Sequence, residues 1–167
     1  MDAIRKLMLK YAEQVTDAVL QVLGRDCHQL EDIEIVMGFD SRISYGAFAA
    51  LVTQLPLLKR LVIDFIGAPE GSSKAMLSSL VQCPLLEELF LSCLNDEMTD
   101  QDTRGLIQGC PNLTELSFYN SPSLKDSHLA IIGSSTSITS LTFKECESMT
   151  DSALVALARM GGFNWRK

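Results

Sequence analysis

The chain has 167 residues, 47% of them apolar, and a net charge of −7. That is one domain's worth of sequence or one run of repeats, with apolar content enough for a core, which excludes wholesale disorder. The acidic balance excludes the basic surface that nucleic acid or anionic lipid requires, and no apolar run approaches the ~18 residues of a membrane span.

In chain order, one pattern recurs six times: an anchor, two spacers, then apolar-x-x-apolar-x-apolar. "MDAIRKLML" (1–9) fits it with Ile4, Leu7 and Leu9 in the apolar slots. "CHQLEDIEI" (27–35), "LPLLKRLVI" (55–63), "CPLLEELFL" (83–91), "CPNLTELSF" (110–118) and "STSITSLTF" (135–143) follow. The anchors at 27, 55, 83, 110 and 135 give steps of 28, 28, 27 and 25. The alternating end of each pattern predicts a short half-buried strand.

Downstream of each strand the apolar residues space at three and four, which predicts a helix. "VTDAVLQVL" (15–23) and "MTDSALVAL" (149–157) are nearly the same sentence, and Thr-Asp recurs at 99–100. Thr16, Thr99 and Thr150 suit the N-cap, and Asp17, Asp100 and Asp151 suit the first turn, where the helix dipole favours negative charge. The third unit has "GAPEGSSK" (67–74) there, with Ser72 in an apolar slot, and Thr103 replaces a helix leucine in the fourth. The loops of those two units are expected to depart from the rest. One strand–helix unit cannot bury its own apolar face, whereas stacked units can, so the pattern predicts a solenoid.

A period of 25–28 with L-x-x-L-x-L resembles leucine-rich repeats. An anchoring Cys, often with Pro, followed by the leucine strand and a Thr-Asp-x-x-Leu-x-x-Leu helix, resembles the cysteine-containing subclass found in F-box/leucine-rich-repeat proteins. The resemblance implies an α/β horseshoe of six repeats over residues 1–162, with parallel strands on the concave face, helices on the convex face and a tail at 163–167. It also implies protein recognition, in that family as substrate receptor of cullin-type ubiquitin ligases. The family often places a second Cys three residues after the strand's last leucine. Only Cys146 stands there; Ala12, Gly38, Ile66, Leu94 and Ser121 hold the other places, and Cys93 is one residue short. The repeats begin at Met1, so no F-box is expected on this chain.

Little in the sequence points to catalysis, and the chain is expected not to be an enzyme and to need no cofactor. Cys27, Cys83, Cys93, Cys110 and Cys146 include no CxxC pair and read as reduced apolar thiols, which suits a cytoplasmic or nuclear protein. In "GAPEGSSK" the lysine is not adjacent to the second glycine, unlike a phosphate-binding P-loop. His28 and His128 lie units apart, without carboxylates at metal-ligand spacing.

The residues between the buried strand positions point into the concavity and form three columns. They are Lys6, Asp32, Arg60, Glu88, Glu115 and Ser140; Met8, Glu34, Val62, Phe90, Ser117 and Thr142; and Lys10, Val36, Asp64, Ser92, Tyr119 and Lys144. Val62, Phe90 and Tyr119 are expected as exposed anchors, amid an acidic field of Asp32, Glu34, Asp64, Glu88 and Glu115 with Lys6, Lys10 and Lys144 at its ends. Aromatic side chains are enriched at binding hot spots, and the acidity predicts a protein partner that is a basic segment with an apolar anchor. Two other readings compete: a free-standing scaffold subunit, and a GTPase-activating repeat protein, for which Arg60 is the one concave arginine. The open ends predict either a segment of a longer solenoid or ends covered by partners or by end-to-end self-association, with Phe163 and Trp165 folding over Leu141 and Phe143 as a makeshift cap.

Overall fold

The computed structural model describes residues 4–38, 42–67, 69, 72–94, 96 and 98–159. Six strand–helix units follow one another. The first two are β1 (Lys6–Lys10) with α1 (Asp17–Asp26), and β2 (Asp32–Met37) with α2 (Tyr45–Val52). Next come β3 (Arg60–Phe65) with α3 (Ser73–Leu80), and β4 (Glu88–Ser92) with α4 (Asp100–Gly109). The last are β5 (Glu115–Tyr119) with α5 (Asp126–Gly133), and β6 (Ser140–Lys144) with α6 (Asp151–Arg159).

The strands make one parallel sheet in sequence order, β1-β2-β3-β4-β5-β6. Helices pack against helices in the same order along the other layer. Strands sit about 4.8 Å apart and helices about 8–10 Å apart, so the stack bends with the sheet inside. This is an α/β repeat solenoid.

The repeat register of the sequence is the pairing register of the sheet. Leu7, Ile33, Leu61, Leu89, Leu116 and Leu141 are cross-strand partners in succession, and so are Leu9, Ile35, Ile63, Leu91, Phe118 and Phe143. In β2 to β5 every one of these side chains is fully buried. The outermost ones, Leu7, Leu9, Leu141 and Phe143, are only partly buried. Phe163 and Trp165, expected to cover the C-terminal end, lie outside the described residues.

Two of the anchor cysteines tie their units to the one before. Cys110 donates its thiol hydrogen to the Leu80 carbonyl at 3.2 Å, and Cys83 reaches the Val52 carbonyl at 4.0 Å. Burial pushes the Cys83 thiol up to about 11 and, with Cys83 nearby, the Cys110 thiol up to about 12. Both are neutral packing residues, and all five cysteines are free.

The Thr-Asp signal divides its work differently from the sequence expectation. Thr99 makes a full capping box with Asp102, and Thr150 accepts from the Ser152 N–H at 3.2 Å. Thr16 occupies the N-cap of α1 but makes no side-chain cap bond. Asp17 instead accepts from the N–H and hydroxyl of Ser44, the N-cap of the next helix, both at 2.8 Å. Asp126 does the same for Thr150, at 2.8 and 2.5 Å. A carboxylate opening one helix therefore fixes the start of the next, which dipole reasoning within one unit does not reveal.

In the third unit Ser72 is the N-cap, accepting from the Lys74 N–H at 3.3 Å, and Ser73 bonds Asp96 at 3.2 Å. Thr103 is fully buried where a leucine was expected, and its hydroxyl donates to the Thr99 carbonyl at 3.2 Å. The units also differ at their strand ends. Tyr11, Cys93, Asn120 and Glu145 turn the chain with φ of 52°, 56°, 45° and 57°. At the same place β2 and β3 run one residue further, and Met37 and Phe65 are buried. Phe65 meets Phe48 edge-on at 5.4 Å and Tyr45 at 6.0 Å. The Tyr45 hydroxyl donates to the Cys93 carbonyl, bridging the second and fourth units.

Two contacts generate tests. A methyl group on Gly109 would lie 2.4 Å from Val81 Cα, so only glycine lets α4 press against the end of α3. Gly109→Ala is expected to cost ~1–3 kcal/mol through overpacking. Leu89→Ala and Leu116→Ala are expected to cost ~2–5 kcal/mol each. Urea unfolding measures all three, and unchanged curves for the leucine variants would refute the repeat frame.

His128, 2% exposed, sits in the first turn of α5 and accepts the Lys125 N–H on Nδ1 at 2.9 Å. Burial depresses its pKa below the usual histidine value, outweighing Asp100, whose Oδ1 lies 3.5 Å from Nε2. The unfolded chain thus takes up this proton at a higher pH than the folded one. Its contribution to stability is complete above pH ~6.5 and falls away as pH drops through the lower folded-state value. Melting temperatures between pH 7.5 and 5 should decline in the wild type. They should decline less in His128→Gln, which retains a cap acceptor.

Candidate functional site

The inner sheet face is built by the residues between the buried ladders. Two of the expected columns are observed cross-strand rows through all six strands, and the third is paired from Lys10 to Asp64 and from Ser92 to Lys144. Ser92, expected on the open face, is buried, its hydroxyl bonded to the Phe65 backbone. Every named side chain of the face is therefore placed by strand register, since alternate residues of a strand share a face.

One half of the face is a charge ladder. Lys6 pairs with Asp32 at 2.6 Å and Lys10 with Glu34 at 2.6 Å. Arg60 holds Asp32 at 2.9 Å, Glu34 at 3.2 Å and Glu88 at 2.9 Å. Burial alone would raise the Asp32 pKa, but hydrogen bonds from Lys6 and Arg60 bring it below the ordinary carboxylate range. The hydrogen bond from Lys10 lowers Glu34. Burial works against the Arg60 charge, yet its bond to Asp32 and the field of Glu88 raise its pKa. A second tier at the strand entries repeats the arrangement, with Glu31 between Arg5 at 3.0 Å and Lys59 at 2.7 Å.

The ladder corrects three sequence expectations. Asp32, Glu34 and Glu88 are not an open acidic field, because each is already bonded to a cation. Arg60 does not project: three carboxylates hold its guanidinium, and its side chain is 29% exposed. Val62, expected to be exposed, is buried at 9%. Its short side chain lies in register between Glu34 and Phe90, and longer neighbours across a spacing of about 4.8 Å cover it.

The other half is aromatic and hydroxylic. Phe90 and Tyr119 are half-buried, with ring centroids 4.6 Å apart and planes tilted by 59°. Lys144 Nζ lies over the Tyr119 ring, 5.2 Å from its centroid. Ser117, Thr142 and Ser140 surround the pair on β5 and β6. Glu115 is exposed and Asp64 half-buried, and neither makes an ion pair among the described residues. Glu115 lies directly opposite Glu88 in the sheet, an unfavourable pairing of like charges that Arg60 relieves on the Glu88 side alone.

Sequence reasoning found the columns but treated each charge singly. Reading one column across the units, Lys6-Asp32-Arg60-Glu88, shows the alternating signs that make the ladder. The Lys144–Tyr119 contact and the Phe90–Tyr119 pair depend on side-chain directions that the columns leave open.

Elsewhere a cleft of about 470 Å³ opens between α1 and α2, lined by Leu20, Gln21, Gly24, Arg25, His28, Ala50 and Gln54. Arg25 is closed onto Asp26 there by bonds of 2.7 and 2.8 Å. Among the described residues no group of three or more His, Cys, Asp and Glu side chains could hold a metal ion. No described helix is long and apolar enough to cross a membrane.

The fold and face define a class: an α/β repeat solenoid with an inner sheet that is ion-paired at one end and aromatic at the other. No family model matches the chain. The chain is similar to the BTB/POZ domain-containing protein FBL11 of Arabidopsis thaliana, 30% identical over 155 residues. The match covers 92% of this chain and 16% of that protein, so the chain spans about a sixth of the relative's length. Among solved structures it is similar to leiomodin-1 actin-binding site 2. That match has a TM-score of 0.49 and 10% identity, over 93% of this chain and 78% of the other.

Arg60 generates the test of the ladder. Arg60→Met leaves three carboxylates facing one another and is expected to cost ~1–2 kcal/mol, more than a lone surface pair. Carboxylate repulsion is screened by salt, so the loss should shrink in 0.5 M sodium chloride. Denaturant unfolding at two salt concentrations measures it.

Proposed function

We propose that this chain is a non-catalytic protein-recognition module whose inner sheet face takes a protein partner around Phe90 and Tyr119. The observation that carries this reading is the contrast across one face. Lys6, Lys10 and Arg60 satisfy Asp32, Glu34 and Glu88, while the aromatic pair on β4 and β5 keeps apolar surface open between Asp64 and Glu115, which make no ion pair among the described residues. Aromatic side chains in such a setting supply a large share of binding energy for little conformational entropy. Arg60 is committed to its carboxylates, which disfavours the GTPase-activating alternative.

The finer reading is that the module selects substrates for a cullin-type ubiquitin ligase. It is supported by the resemblance of the repeats to F-box/leucine-rich-repeat proteins and by similarity to a relative whose name carries a BTB/POZ domain. The alternative is a scaffold subunit with no link to ubiquitin. Affinity purification followed by mass spectrometry separates them: the ligase reading requires a cullin and its adaptor among the co-purifying proteins.

Phe90→Ala tests the face itself. Leu89 and Leu91 hold β4 in the core, so the fold should survive. Partner affinity should fall by ~1–3 kcal/mol, the usual scale for an aromatic hot spot. Leu154→Ser, a change at an exposed position of α6, should leave affinity unchanged. A partner held equally by wild type and Phe90→Ala would remove the inner face from the binding account.

A further inference from the structure

Resting on the inner-face reading, we infer that the partner presents an extended segment of pattern basic-x-apolar-x-basic, laid diagonally across β3, β4 and β5. Two carboxylates of the face, Glu115 on β5 and Asp64 on β3, make no ion pair among the described residues. The pairing places them symmetrically about Phe90. Glu115 is opposite Glu88, two residues before Phe90; Asp64 is two residues beyond Val62, which is opposite Phe90. Two strand spacings of about 4.8 Å and four residues of about 3.3 Å separate the acids by about 16 Å, with Phe90 at the midpoint.

An extended peptide places residues i, i+2 and i+4 on one face over about 13 Å. Arginine or lysine at i and i+4 covers the remaining ~3 Å with its long side chain, while an apolar residue at i+2 meets the Phe90 ring. A cation beside Glu115 also relieves its repulsion with Glu88. The opposite diagonal is closed to such a segment, because Arg60 stands at one end and Tyr119, with Lys144 over its ring, at the other.

Fluorescence anisotropy with labelled synthetic peptides tests the inference on the full chain. The probes are Gly-Arg-Ser-Leu-Ser-Arg-Gly, the same peptide with aspartate for both arginines, and one with two serines on each side of the leucine. The first should bind at least about tenfold tighter than the acidic peptide and severalfold tighter than the lengthened one. Glu115→Gln and Asp64→Asn should each weaken it about three- to tenfold, with the effect lost in 0.5 M sodium chloride. Glu147→Gln, an exposed change outside the inner face, should change nothing. No binding of the first peptide at 1 mM, equal binding of the acidic peptide, or indifference to both neutralising changes would overturn the inference. Phe90→Ala separates the two levels. Binding that needs Phe90 but neither acid leaves the inner-face reading standing and sinks this one; binding indifferent to Phe90 sinks both.

Discussion

Each strand–helix unit has more apolar surface than it can bury alone, so each depends on the next for its core. Leu89 of β4 is fully buried because Leu61 and Leu116 flank it in register and helices cover the sheet from one side. The hydrogen bonds obey the same constraint. Anchor thiols donate to carbonyls of the previous unit, and the aspartates opening α1 and α5 accept from the caps of the helices that follow. Stability is thus held between units rather than within them, and the outermost strands are the least covered.

The same stacking decides what the inner face can do. Parallel strands in register bring equivalent residues of successive units within side-chain reach, so a column alternating in sign becomes a continuous ion-pair ladder. Lys6, Asp32, Arg60 and Glu88 do this, and their half of the face is electrostatically satisfied. The alternation fails at Glu115, where an acid follows an acid and Ser140 comes next. Beyond that break the face carries aromatic rings and hydroxyls. Within one sheet the ion-paired columns thus give way to the aromatic pair of β4 and β5, flanked by Asp64 and Glu115, which make no ion pair among the described residues.

Irregularities in the repeat also have physical causes. β2 and β3 run one residue further, and the buried Met37 and Phe65 extend the core at a position where other units turn in a left-handed conformation. Tyr45 then packs against Phe65 and bonds the Cys93 carbonyl, locking three units together at the strand ends. Gly109 allows α4 to approach Val81 more closely than any side chain would.

The sequence by itself determined the six units, their order, the buried positions and the three columns of the inner face. Apolar periodicity is a local property, and a solenoid turns local periodicity directly into cross-strand register. It could not determine which face residues are open. Val62 is buried, Arg60 is tied down and Asp32 is neutralised because of the lengths and directions of side chains on neighbouring strands, which lie 26 to 28 residues away in the chain. Glu115 and Asp64 look no different from Asp32 as letters in a sequence. Only the tertiary structure, by placing a cation beside some carboxylates and, among the described residues, none beside others, separates the charges tied into the sheet from those left unpaired.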